Sequence, residues 1–120
     1  MAQTRLWHVT LTMAGAAIDA TDLESALSRL ASQHGFLHSL RYGDSCAEVT
    51  YWEEAASMLD AAAMAMRLWD EHRLSADLPR WTVAGLEILE QSVHALRAYG
   101  LRSDVGGPRL GSRTPRPVRF

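Results

Sequence analysis

Thr50-Tyr51-Trp52-Glu53-Glu54-Ala55-Ala56-Ser57-Met58-Leu59-Asp60 is the stretch on which the reading of this 120-residue chain turns. Before it, side chains alternate as in a strand. After it, the pattern becomes that of an Ala/Met-rich helix. Ser57 and Asp60 offer a capping signal, and a helix is expected over about 55–73. Its stripe is read as Leu59, Ala62, Ala63, Met66 and Trp69 or Asp70, widened by Met58, Ala65, Leu68 and His72. Small Ala and soft Met side chains let such a helix lie close on a sheet.

Upstream, residues 36–42 and 45–52 read as a hairpin about Gly43-Asp44, with glycine first as in a type II′ turn. This register pairs Tyr42 with Ser45, Leu40 with Ala47, His38 with Val49 and Phe36 with Tyr51. It turns Phe36, His38, Leu40, Ala47, Val49 and Tyr51 to the core. Ser39, Arg41, Cys46, Glu48, Thr50 and Trp52 fall on the opposite face, and a one-residue slip inverts the two sets. Further upstream, Leu6–Met13 alternates cleanly, with Trp7, Val9, Leu11 and Met13 on one side. Thr21-Asp22-Leu23-Glu24 has the form of a capping box. Leu23, Ala26, Leu27 and Leu30 follow at helical spacing and Gly35 suits a C-terminal stop, so a helix is expected over 21–34.

Downstream, Leu74–Arg80 reads as a loop and Trp81–Leu89 as a fourth strand, with Gly85 marking a bulge or close approach. Glu90–Tyr99 has Val93, Leu96 and Tyr99 at the spacing of a short third helix. From Leu101 the chain is rich in Gly, Pro, Arg and Ser and reads as a flexible tail dispensable to folding. The order is βαββαβ plus an extension. It implies an α+β, ferredoxin-like plait: a four-stranded antiparallel sheet, order 4-1-3-2, with two helices on one face. Residues 1–100 form the domain and 101–120 the tail. One sheet face is left for water, a ligand or another protein.

Composition narrows the function. No apolar run approaches the roughly 18 residues of a membrane helix, and no signal-peptide core precedes the first strand. Cys46 is the single cysteine, which excludes an intramolecular disulfide and a thiolate metal cage. A cytoplasmic location is expected, with no membrane partner. Residues 1–100 carry seven Arg against thirteen Asp and Glu, a charge of −6, while residues 101–120 carry five Arg against Asp104. An acidic body argues against phosphate-dominated binding, and the 45–52 strand lacks the basic, glycine-interleaved aromatic pattern of RNA-binding plaits. No specific nucleic acid is expected.

Two functional readings follow. In the first, the chain is a non-enzymatic interaction or regulatory module. It forms a homodimer, or meets a protein partner, through the uncovered sheet face or a strand edge. Trp52 is the anchor, with Thr50 and Thr10 beside it, because an exposed Trp so often centres an interface. Packing of Trp52 beneath the 90–99 segment is weighed evenly against this. In the second, His8 on the first strand, with Glu48 and Glu87 on its neighbours, forms a cluster able to bind a small ligand or metal or to act in acid–base chemistry. A cross-strand polar cluster on a solvated face, with Arg41 pairing Glu48, is the plainer use of those residues. His38 reads as a core or edge histidine, and His34, His72 and His94 as surface. No cofactor or metal is expected and no residue is assigned a catalytic role; the sequence carries no GxGxxG and no P-loop.

Trp7-His8-Val9, Tyr51-Trp52-Glu53-Glu54, Arg67-Leu68-Trp69 with Glu71-His72-Arg73, and Gly85-Leu86-Glu87 together resemble a group of small actinobacterial proteins of uncharacterised role. The resemblance spans roughly residues 6–90. It implies that this span is one unit, and it brings no activity or catalytic residue with it.

Overall fold

The computed structural model describes residues 4–101 and 114–120. Its elements run β1 (Arg5–Ala14), α1 (Ala20–Gln33), β2 (Leu37–Tyr42), β3 (Cys46–Ala55), α2 (Met58–His72), β4 (Thr82–Glu90), α3 (Gln91–Leu101) and β5 (Pro117–Arg119). The fold is α+β, with three helices and a five-stranded mixed sheet among the described residues. The strand order is β4-β1-β3-β2-β5. Helices α1 and α2 bury Leu23, Ala26, Leu27, Leu30, Ala65, Leu68 and Trp69 against Val9, Leu11, Met13, Val49 and Tyr51 in one core. No described helix is long and apolar enough to cross a membrane.

The four-stranded sheet of the sequence reading is corrected to five. Pro117–Arg119 pairs in parallel with Leu40–Tyr42 of β2, so the end of the expected flexible tail is a strand. Arg119 reaches Asp44 at 3.1 Å, and the Arg41 guanidinium lies 5.2 Å from the centre of the Phe120 ring. Arginine, read as a mark of solvated tail, here supplies the docking contacts. Leu110, another apolar residue of the tail, lies outside the described residues.

The hairpin register also differs. Tyr42 pairs with Ala47, Leu40 with Val49 and Ser39 with Thr50, and then the register shifts so that Leu37 pairs with Tyr51. His38 is therefore an extra residue, a β-bulge. The bulge inverts the alternation beyond it. Leu37 is buried in place of Phe36, which is 67% exposed, and His38 leaves the core face.

Helix α1 starts one residue earlier than expected. Its cap is Asp19, whose carboxylate accepts from the backbone N–H groups of Thr21 and Asp22. The Thr21–Glu24 box is not used as such, and Glu24 accepts a hydrogen bond from the Tyr42 hydroxyl at 3.2 Å. In α2 the Ser57 cap is present, accepting from Asp60 N–H at 3.1 Å. The buried stripe, however, is Ala61, Ala65, Leu68 and Trp69. Of the expected stripe, Trp69, Ala65 and Leu68 are buried, whereas Leu59, 81% exposed, and Met66, 50% exposed, face outward. Ala61 and Ala65 lie against the sheet together with Leu68 and Trp69, while Met58, Leu59 and Met66 are turned away.

Candidate functional site

His8 lies on the inner strand β1, opposite Trp52 of β3 and Leu89 of β4. Trp7, His8 and Val9 are consecutive and all buried, so β1 is covered on both faces there. The second cover is α3. It follows β4 directly, turns back on the sheet face away from α1 and α2, and sets His94 over His8.

Three histidines and a tryptophan meet at this point. His8 Nε2 lies 3.3 Å from His38 Nδ1, one nitrogen donating and the other accepting. The His94 ring lies 4.1 Å from that of His8, centre to centre, with the planes 33° apart. Trp52 stands edge-on to both His8 and His94, at 5.0 Å from each. The bulge is what brings His38 in: regular alternation would turn it to the core side. The pKa of His8 is lowered to about 4 by burial, with His94 and His38 adding to the effect. That of His94 is lowered too, by burial first and then by His38 and Arg97. The His8 and His94 imidazoles are thus held neutral, as bases and lone-pair donors.

The residues singled out from the sequence are distributed differently. Glu48 pairs with Thr12 of β1 and Arg41 of β2, four residues from His8 along the strand, or roughly 13 Å. Glu87 pairs with Thr10, and its carboxylate accepts from Arg97 at 3.4 Å. The structure therefore does not gather His8, Glu48 and Glu87 into one cluster. Thr10 lies between Thr50 and Glu87. Thr50 is buried and its hydroxyl bonds that of Ser39, while Trp52 is half-buried beside His94. His38 and His94 carried no signal in a strict alternation: the bulge is set by pairing, and the docked face of α3 by tertiary packing.

A second group lies where the C-terminal ends of α1 and α2 meet. The His34 ring stands 5.1 Å from Tyr51 and 6.0 Å from His72. The Tyr51 hydroxyl is buried without a hydrogen-bond partner among the described residues. Its pKa is pushed up by burial, then by Glu53 and Glu71. His72 Nδ1 lies 3.0 Å from the Leu68 carbonyl, which makes it the protonated nitrogen. Among the described residues no group of three or more His, Cys, Asp or Glu side chains stands arranged to hold a metal ion.

A search of the curated proteins finds no match. Among solved structures, an acylphosphatase from Coxiella burnetii is similar over 73% of this chain and 81% of its own, at 13% identity and a TM-score of 0.35, too distant to bear on function. The model of the Domain of unknown function (DUF8830) matches residues 6–104, most of the chain and nearly all of its folded part, and the chain belongs to that family.

Proposed function

We propose that the protein is a non-enzymatic interaction module that self-associates, and that the contact is made by the outer face of α2. The observation that carries this is the outward row of exposed Leu59, Ala63 and Met66 with half-buried Ala62, and exposed Met58 beside it. An apolar row at helical spacing that faces away from the core belongs to a contact more often than to solvent. The sheet face near Trp52 is partly occupied by α3, which moves the weight of the reading from that face to α2.

A second copy is the occupant the residues favour. An antiparallel two-fold pairing puts Leu59 opposite Met66 of the second copy and Ala62 opposite Ala63. The alanines allow close approach at the axis and the larger side chains fill the flanks, the self-complementary form that two-fold contacts require. Asp60 then comes beside Arg67 of the second copy, a residue tied only at 3.7 Å to Glu71 of its own helix.

Sedimentation equilibrium tests the reading. The wild type is expected to dimerise, and Leu59→Glu to be monomeric with unchanged circular dichroism. Asp60→Arg is expected to weaken the dimer and the double variant Asp60→Arg/Arg67→Asp to restore it. A wild type monomeric at high concentration, or a dimer indifferent to Leu59→Glu, overturns it.

A further inference from the structure

We infer that the free edge of β4 pairs with β4 of a second copy, antiparallel about Leu86, so that the two five-stranded sheets run on as one beneath paired α2 helices. This rests on the self-association read above and adds a strand edge to its helix contact.

Area calls for the addition. A helix of 15 residues is about 22 Å long and presents a strip roughly 10 Å wide, so the α2 row alone supplies roughly 200 Å² per copy. Stable interfaces bury about 600–1,000 Å² per partner. The missing surface lies beside the row. Among the described residues β4 ends the sheet, with no strand beyond it. Leu86 and Glu87, consecutive and therefore on opposite faces, are both exposed, so neither α2 nor α3 covers the middle of the strand. The strand carries no proline, and its one bulge, at Ala84, lies towards its start. An open edge of this kind is a template for another strand.

The α2 row stands on the β4 side of its helix. Trp69 stacks on Trp81, just before β4. Ala62 and Met66 come seven and three residues before Trp69, on the same flank, and Leu59 comes three before Ala62. Glu71, on the opposite flank, faces β3, where it adds to the rise in the Tyr51 pKa. Leu86 pairs with the fully buried Leu11 and so points to the helix side, yet it is 38% exposed. Leu59, Ala62, Met66 and Leu86 thus form one apolar surface that runs from helix to strand.

A second copy fits this surface because the register closes on itself. A two-fold axis through the sheet keeps both α2 helices on one face. Opposed residues then share a face, so the axis passes through a single residue. At Glu87 it would oppose like charges. At Leu86 it sets Leu86 against Leu86, Glu87 against Gly85 and Glu90 against Thr82, with Arg80 diagonal to Glu90. The same axis suits the helices. Ile88 packs in one cluster with Ala61, and Trp81 packs on Trp69, so Leu86 stands near the level of Ala62 and Ala63, the centre of the α2 pairing. Helix α2 packs over β4 and β1, and strands about 4.8 Å apart then bring the two α2 helices side by side.

Cross-linking and hydrogen exchange on the full chain test the seam. In a Cys46→Ser background, Leu86→Cys is expected to form a disulfide-linked dimer under oxidised glutathione, because residues opposed across such an axis have Cβ atoms about 4.5–5.5 Å apart. Phe36→Cys, exposed before β2 and far from β4, is expected to give none. In the unsubstituted chain, exchange of the β4 amides is expected to slow severalfold above the concentration at which the dimer forms, and in Leu59→Glu to stay fast throughout. A dimer that Leu59→Glu dissociates, but with β4 exchange unchanged and no cross-link at Leu86→Cys, overturns the seam and leaves the α2 contact. A dimer cross-linked at Leu86→Cys that Leu59→Glu does not dissociate supports the seam and overturns the α2 row. A wild type monomeric at every concentration overturns both.

Discussion

Trp69 and Trp81 stack with their planes 2° apart and their centres 6.2 Å apart. Each indole N–H is also bonded, Trp69 to the Pro79 carbonyl at 2.9 Å and Trp81 to the Ala16 carbonyl at 2.8 Å. The pair therefore ties α2, the loop before β4 and the turn after β1 into one block. Trp81→Ala is expected to cost about 3–5 kcal/mol in chemical denaturation. Gly15 lies under this ring, and a Cβ there would run into Trp81 Cδ1. Gly15→Ala is expected to cost about 1–3 kcal/mol in the wild type and much less in the Trp81→Ala background. Equal costs in both backgrounds would show that Gly15 serves the backbone and not the indole.

Two leucines at equivalent places in their sequence patterns part company in the structure. Leu27 is fully buried and Leu59 is 81% exposed. Leu27→Ala is expected to lose about 2–5 kcal/mol, and Leu59→Ala to stay within about 0.5 kcal/mol for the monomer. Denaturation at a concentration where the chain is monomeric separates the two. A large loss at Leu59 there would return it to the core and remove the row on which self-association rests.

The contrast marks what could be read from the chain and what could not. Periodicity located the three helices and all four strands of the antiparallel part, because burial of one face imposes period 3.6 or 2 on any such element. It chose the buried face of α1 correctly, where leucines stand on one side only. In α2 apolar residues run almost all round, so periodicity alone does not separate the buried stripe, Ala61, Ala65, Leu68 and Trp69, from the outward row that includes Leu59 and Met66. Pairing register lies beyond the reach of alternation: a single extra residue at His38 exchanged Phe36 for Leu37 in the core and delivered a histidine to the opposite face. The candidate site depends on that bulge and on where α3 docks, both long-range events, so of its members only His8 and Trp52 stood out in the sequence.

Strand β5 changes the expectation for the tail. Its main-chain pairing closes the β2 edge, and Arg119 lies 5.6 Å from the centre of the Tyr42 ring while bridging to Asp44. Exposed cation–π and ion-pair contacts of this kind are worth about 0.5–1 kcal/mol each. Deleting residues 114–120 is expected to lower stability by about 1–2 kcal/mol and to increase hydrogen exchange at Leu40–Tyr42. An unchanged exchange pattern in β2 would mean that β5 is not docked in solution.

The histidine clusters give stability a defined dependence on pH. The pKa of His8 falls from 6.5 to about 4 on folding, through burial first and then through His94 and His38. Between those values the unfolded chain binds the proton and the folded chain does not. Acid therefore favours unfolding: the contribution of His8 is intact above about 6.5 and lost progressively as pH falls towards 4. The full span corresponds to at most about 3 kcal/mol. His94 and His34 are lowered in the same direction, so their contributions add to the loss. Urea denaturation at pH 7 and pH 5 is expected to show the wild type less stable at pH 5. His8→Gln, which keeps a polar side chain that does not titrate, is expected to show a smaller difference between the two. Since α3 contributes His94 to the cluster, exchange of the α3 amides is expected to rise at pH 5 before that of β1 and β3. If His8→Gln retains the full pH dependence, the titrating groups lie elsewhere, and His34, whose pKa burial lowers, is the next to substitute.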